Sequence, residues 1–225
     1  MADSKSGDDV KESESTPYPT KCFVTRRLTY ADAGGQSKQI ISDELTSFAG
    51  PKVILGEPGM GKTELLNQLG EVTGVQSITA IRFALHKRPE QLVVADQQLL
   101  IDGLDEAIAR RDGDAVDTVA AQLEAAGSPD FLLSCRSREW QARSRRLLEA
   151  AYSTEPLVFT LEPFSRDDAV KFLSALYPAS RPKSVIEHLE NLGLGELYGN
   201  PLERTPWASH RPARNRSDLN QVHLL

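Results

Sequence analysis

A glycine-rich octapeptide, GEPGMGKT, ends in a lysine and a threonine, Lys62 and Thr63. Its glycines permit positive φ and close approach of the backbone, so that consecutive N–H groups can surround an anion. A helix beginning here would direct the favourable end of its dipole at the same anion. Lys62 would reach the β- and γ-phosphates of a nucleotide, and the Thr63 hydroxyl would ligate Mg²⁺. These residues therefore predict a site for Mg-ATP or Mg-ADP.

The neighbouring sequence supplies the context that a phosphate-binding loop requires. An apolar strand, KVIL, precedes the octapeptide, and a helical pattern, KTELLNQLGEV, follows it. The segment fits G-x-x-x-x-G-K-[ST] and resembles a Walker A loop, whereas the alternative is an ordinary turn with a solvated lysine. The candidate nucleotide-binding residues are Gly56, Glu57, Pro58, Gly59, Met60, Gly61, Lys62, Thr63 and Glu64.

Acidic residues follow a second apolar segment in the sequence LLIDGLDEA. Asp102 closes the predicted strand and is expected to hold Mg²⁺ through water, because Mg²⁺ keeps much of its hydration shell. Glu106 is the first choice for activating an attacking water, and Asp105 is the second. The alternative is a solvated acidic turn without a catalytic role.

Another strand ends in LLSCRSREW, where Arg136 is the first side chain beyond the apolar residues. We expect Arg136 to sense the γ-phosphate. Arg138 is the competing candidate, and a solvated arginine at a helix start is the alternative. Cys135 is expected to be a small buried side chain rather than a nucleophile.

Short apolar runs that alternate with helical patterns predict the elements that position these residues. Such alternation indicates an α/β fold, a doubly wound parallel five-stranded sheet of the P-loop NTPase type with ligands at the carboxyl ends of its strands. The five predicted strands are KVIL, ITAIRFAL, QLLID, DFLLSC and PLVFTL.

The pattern divides the chain into five segments. Residues 1–19 are predicted to be a disordered tail because they carry almost no large apolar side chains. Residues 20–50 form a lead-in with a short strand in CFVTRRLTY, a loop in ADAGGQSKQ and a short helix in IISDELTSF, and residues 51–162 form the core. Residues 163–202 are predicted to be a small helical lid, with Ser165 and Asp168 at capping-box spacing. Residues 203–225 are an irregular tail interrupted by prolines.

Composition narrows the partners and the compartment. The 225 residues include 26 Lys and Arg against 32 Asp and Glu, so no global positive field favours nucleic acid or an anionic membrane. The two cysteines form neither a disulfide framework nor a zinc spacing, and no apolar run is long enough to cross a bilayer. We expect a cytoplasmic protein that binds neither a membrane nor nucleic acid.

Taken in order, these motifs resemble the NACHT branch of the STAND class of P-loop NTPases. The resemblance covers GEPGMGKT, LLIDGLDEA, LLSCRSRE and YGNPL, the last being similar to the Gly-x-Pro motif of the family's lid. It implies a switch in which ADP holds a closed state and ATP-bound protomers self-associate. It also implies that Pro201 contacts the nucleotide base. Members of the family continue beyond the lid, so the sequence is expected to be a truncated piece of a larger sensor.

Two other functions compete with the switch. A P-loop ATPase could act as a motor or loader on nucleic acid, with the basic segment RSREWQARSRR as its contact. A scaffold could retain the loop for structure alone. Salt-dependent DNA binding would favour the motor, and nucleotide-driven assembly would favour the switch. The absence of both would favour the scaffold.

Overall fold

A computed structural model describes residues 23–110, 115–177 and 181–199. The two predicted tails and Pro201 lie outside these ranges, so their predicted roles stay predictions. Within the described ranges, no helix combines the length and the apolar character needed to cross a membrane.

One seven-stranded sheet organises the chain. Its strands are β1 (Arg27–Ala31), β2 (Ser37–Ile41), β3 (Pro51–Leu55), β4 (Ile78–Thr79), β5 (Leu99–Asp102), β6 (Phe131–Cys135) and β7 (Leu157–Leu161). They lie in the order β2-β1-β7-β3-β6-β5-β4. The strands from β7 to β4 are parallel, whereas β1 is antiparallel to both β7 and β2.

The α/β class and the parallel centre of the sheet are confirmed, but the count of five strands is wrong. The predicted lead-in contributes two strands, and ADAGGQSKQ is not wholly a loop because β2 begins at Ser37. The predicted strand ITAIRFAL is also wrong beyond Thr79. There the threonine hydroxyl accepts a hydrogen bond from the Arg82 N–H and caps a short helix over Ala80–Ala84.

Helices cover both faces of the sheet. They are α1 (Lys62–Thr73), α2 (Ala80–Ala84), α3 (Leu104–Arg110), α4 (Ala115–Ala125), α5 (Ala142–Tyr152), α6 (Arg166–Leu176) and α7 (Pro182–Asn191). Short 3-10 helices lie at Ser42–Ser47, Pro89–Leu92 and Gly195–Gly199.

Alternate residues of the central strands point to opposite faces and form two cores. Val53 packs with α2 to α5 on one face, and Ile54 packs with α1 and β1 on the other. This doubly covered arrangement explains why the central strands are continuous apolar runs rather than alternating ones.

The small helical lid follows β7. Ser165 and Asp168 form the predicted capping box at the start of α6. Ala169, Leu173 and Ile186 make a small core between α6 and α7. The lid is therefore a separate cluster attached to the end of one central strand.

Candidate functional site

The glycine-rich loop connects β3 to α1, as the sequence predicts. Gly59 and Gly61 have φ of 79° and 87°, and Gly61 is the N-cap of α1. A Cβ at Gly61 would be strained by this φ and would lie 3.3 Å from the Arg26 guanidinium. The loop therefore needs glycine here for its conformation as well as for the space.

The lysine of the loop is folded against the loop itself. Lys62 Nζ donates hydrogen bonds to the carbonyl oxygens of Gly56 at 2.7 Å and Glu57 at 3.1 Å. Burial is the main cause that lowers the pKa of Lys62; Arg136 also lowers it, while the carboxylates of Asp105 and Asp102 raise it. The ammonium group thus lies in the field of both acidic and basic candidates from the neighbouring strands.

Strand order explains how residues distant in sequence meet at the carboxyl ends of β3, β6 and β5. β6 lies between β3 and β5, with Leu55 paired to Cys135 and Ile101 to Leu133. The loop, Arg136 and Asp102 therefore lie at the carboxyl ends of three neighbouring strands, β3, β6 and β5. An α/β sheet binds its ligands at these ends.

Ser134 holds the aspartate that ends β5. Its buried hydroxyl donates to Asp102 Oδ1 at 2.5 Å and accepts from the Gly103 N–H at 2.8 Å. Both hydrogen-bonding functions of the hydroxyl are thus used to orient the carboxylate and the turn behind it.

Asp105 and Arg136 form an ion pair. Arg136 Nε lies 2.8 Å from Asp105 Oδ2, and the Arg136 backbone N–H donates to Asp105 Oδ1 at 3.2 Å. The Asp105 side chain is only 8% exposed, whereas the Arg136 side chain is 43% exposed. The carboxylate is enclosed, while the guanidinium keeps access to solvent.

Glu106 occupies a different position from its neighbour. It is exposed on the first turn of α3, and its Cδ lies 3.5 Å from the position that a Cβ on Gly103 would take. Gly103 has a φ of 75°, so glycine meets both the backbone conformation and the close approach of this glutamate.

The donor set suits magnesium better than a metal bound only by protein side chains. Among the residues that the structure describes, no three His, Cys, Asp or Glu side chains cluster as a metal site. Asp102 offers one oriented carboxylate, and Thr63 offers a hydroxyl at the exposed start of α1. Mg²⁺ accepts few protein ligands because it retains several waters, so these residues fit it.

The other candidates differ in their exposure. Glu57, Pro58, Thr63 and Glu64 are exposed, and Arg138 is exposed as well. Cys135 is fully buried, and burial, followed by Asp105 and Glu139, raises the pKa of its thiol to about 12. The expectation that Cys135 is a buried side chain is confirmed.

Sequence reasoning missed two residues that shape this edge. Ser134 could have been identified as the one hydroxyl in the apolar run FLLSC. Arg26 gave no such signal, because it precedes β1 in a weakly patterned segment, yet it is 4% exposed and donates to the loop carbonyl of Met60.

Comparisons with known proteins give likenesses of fold. No protein-family model matches the sequence, and no curated protein matches it significantly. Domain III of the replication initiation protein DnaA from Thermotoga maritima has a TM-score of 0.44 and 19% identity, covering 67% of this chain and 74% of that one.

Two further structures are similar to a comparable degree. A structure on katanin self-assembly has a TM-score of 0.46 and 14% identity, covering 76% of this chain and 65% of katanin's. Replication initiator DnaA bound to AMPPCP and single-stranded DNA has a TM-score of 0.44 and 18% identity, covering 66% of this chain and 52% of that one. The chain's own central strand β3, glycine-rich turn and helix α1, at the carboxyl end of a mostly parallel sheet, give it a P-loop NTPase fold.

Proposed function

We propose that this chain is an ATP-binding regulatory module of the NACHT and STAND signalling type. It binds Mg-ATP and Mg-ADP at the glycine-rich loop and hydrolyses ATP slowly as a conformational switch. The observation that carries the proposal is the meeting of Lys62, Asp102, Asp105 and Arg136 at the ends of three adjacent strands. A loop that served only as a turn would not need these charges around its lysine.

Binding begins with a change of partners at Lys62. In this structure its ammonium group satisfies two loop carbonyls, those of Gly56 and Glu57. Phosphate oxygens carry full charge and form stronger hydrogen bonds with an ammonium group than neutral carbonyls do. Lys62 would therefore exchange these carbonyls for the β- and γ-phosphates. Asp102 and Thr63 would hold Mg²⁺, which would supply further positive charge to the phosphates.

The ion pair of Arg136 supplies a way to distinguish ATP from ADP. In this structure the guanidinium is paired with Asp105. A γ-phosphate offers it a second anionic partner, and only ATP has one. Arg136 shifts toward that phosphate and weakens its hold on Asp105, so the state of α3 depends on the nucleotide bound.

Glu106 is the residue proposed to activate water. Asp105 is enclosed and already paired with Arg136, whereas the carboxylate of Glu106 is exposed and accessible to an attacking water. Turnover would be slow if Glu106 could act only after Arg136 had exchanged Asp105 for the γ-phosphate, because every cycle would then require that exchange.

Two of the three arginines of α5 are paired within the chain, which does not favour a nucleic-acid motor. Arg143 pairs with Asp117 at 2.8 Å, and Arg145 pairs with Glu155. These cations are already matched within the chain, which reduces the charge they offer to a phosphate backbone.

Nucleotide-dependent assembly and turnover test the proposed switch. The full chain is incubated with Mg-ADP or with a non-hydrolysable Mg-ATP analogue, and its mass distribution is measured by light scattering after gel filtration. Phosphate release from Mg-ATP is followed in parallel. We expect slow release and a larger assembly with the ATP analogue. Identical masses in both nucleotides would contradict the switch. DNA binding that strengthens at low salt, together with no effect of nucleotide on the assembly, would favour the motor.

A further inference from the structure

An arginine ahead of the sheet lies almost wholly inside the protein. Arg26 is 4% exposed, and burial, its largest cause, lowers the pKa of the guanidinium to about 10. A charged group taken out of water is costly unless its hydrogen bonds are replaced. The contacts of Arg26 therefore indicate what this buried charge is for.

The guanidinium joins the phosphate-binding loop to the chain that leaves β7. Nη1 donates to the Met60 carbonyl in the loop, and Nη2 donates to the Glu162 carbonyl at 2.7 Å. The guanidinium carbon lies 4.3 Å from the centre of the Phe164 ring. Nη1 also lies 3.3 Å from the position that a Cβ on Gly61 would take. One side chain thus contacts both sides of the junction between loop and lid.

The residues it contacts lead directly into the lid. The Phe164 N–H donates to the Gly199 carbonyl at 3.0 Å, and Ser165 caps α6. Movement of the chain at Glu162 and Phe164 therefore changes the point from which the lid begins.

The next residue provides a comparison. Arg27 Nη2 lies 2.8 Å from Asp168 in α6, and its Nε lies 3.5 Å from Glu162. Within the described part of the chain, these ion pairs connect Arg27 to the lid and to its junction. Arg27 is also more exposed, at 34% of its side chain. It supports the lid, whereas Arg26 bridges the lid junction and the loop.

We propose that Arg26 is a positioning residue that couples the conformation of the phosphate-binding loop to the lid. This inference rests on the proposed nucleotide binding. The planar guanidinium of Arg26 donates from two different nitrogens to two carbonyls, those of Met60 and Glu162. A shift of the Met60 carbonyl is therefore transmitted to the carbonyl of Glu162. A lysine, with a single compact ammonium group, cannot reproduce this rigid bridge.

Hydrogen exchange of the full chain tests the coupling. Exchange of the amides in residues 166–176 is measured with and without saturating Mg-ADP, in the parent and in Arg26→Met, after thermal unfolding has confirmed a folded variant. We expect bound nucleotide to slow exchange in the parent by about 5-fold or more, the lower end of typical allosteric coupling. In Arg26→Met we expect less than about a 2-fold change in α6, while the loop amides remain protected.

Arg27→Met is the matched control because it removes an arginine from the lid side alone. It should speed exchange in α6 both with and without nucleotide while preserving the ratio between the two states. A readout based on the ratio separates coupling from simple loss of lid stability.

Two further variants keep the proposal testable if Arg26→Met does not fold. Arg26→Lys keeps the charge without the bridge, and Phe164→Leu removes the aromatic face beneath the guanidinium; both should reduce the ratio. A parental ratio in any folded Arg26 variant overturns the coupling alone. Failure of the parent to bind nucleotide overturns the proposed function and the coupling with it.

Discussion

Replacement of Ser134 by alanine tests the hydrogen-bond arrangement at the end of β5. The hydroxyl is buried between Asp102 and Gly103, donating to the carboxylate at 2.5 Å and accepting from the backbone N–H at 2.8 Å. Ser134→Ala removes both interactions without adding volume. The carboxylate loses its orienting donor, and the Gly103 N–H loses its acceptor.

The expected loss of stability follows from these two contacts. A hydrogen bond to a charged group contributes about 1.5 to 3 kcal/mol, and a buried donor left without a partner costs about 1 to 3 kcal/mol. Asp102 and Gly103 are both half-buried, so water replaces part of each lost interaction. We therefore expect Ser134→Ala to lower the free energy of unfolding by about 2 to 4 kcal/mol.

Urea unfolding of the parent and the variant measures this difference. Ser174→Ala is the control, because the Ser174 hydroxyl donates to the Val170 carbonyl at 2.7 Å on an exposed helix surface. The control should change stability by no more than about 0.5 kcal/mol. The variant should also bind Mg-ATP about 10-fold more weakly, the lower end of the effect of losing a partner that orients a metal ligand. A stability loss in Ser134→Ala no larger than that of the control would refute the reasoning.

Four other substitutions test the candidate nucleotide site and the buried lysine of β3, Lys52. Glu106→Gln should retain Mg-ATP binding but lower phosphate release at least about 10-fold, with Glu149→Gln at an exposed position of α5 as the control; unchanged release would refute the role of Glu106. Asp102→Asn should weaken nucleotide binding in magnesium but not in EDTA, as calorimetry would detect; equal weakening in both would argue against metal ligation. Arg136→Ala should reduce the ratio of ADP to ATP dissociation constants toward one, and an unaltered ratio would rule out γ-phosphate sensing. Burial lowers the pKa of Lys52 to about 8, so the unfolded chain binds more protons than the folded chain between about pH 8 and 10.5. The free energy of unfolding should therefore rise across this pH range by up to about 3 kcal/mol, and Lys52→Met should lack this rise in urea titrations. The same pH dependence of stability in the parent and in Lys52→Met would contradict the prediction.

Apolar segments made the centre of the sheet predictable from sequence. β3, β5 and β6 are buried on both faces and therefore appear as short apolar runs. β2 could not be found in this way because most of its residues are exposed and it lacks a period-two apolar pattern. It forms at the edge of the sheet by pairing with β1, a tertiary contact that the local pattern does not contain.

The site was predictable in its parts but not in its pairings. The glycine spacing identified the loop, and the position of Asp102 after an apolar run identified the acidic edge. The ion pair of Arg136 with Asp105 depends on β6 lying beside β5, an order that no single segment encodes. Arg26 was missed because arginine is rarely buried, and its burial here depends on carbonyls contributed by distant segments.

Calorimetric titration of Mg-ATP into the parent chain and into Lys62→Ala tests nucleotide binding most directly. Lys87→Ala, which removes an exposed lysine after α2, is the matched control, and circular dichroism confirms that all three proteins are folded. Saturable binding should appear in the parent and the control and be absent, or weakened at least about 100-fold, in Lys62→Ala, a loss of about 2.7 kcal/mol. Equal affinity in folded Lys62→Ala, or no binding by the parent, would contradict the assignment of the glycine-rich loop as a nucleotide site.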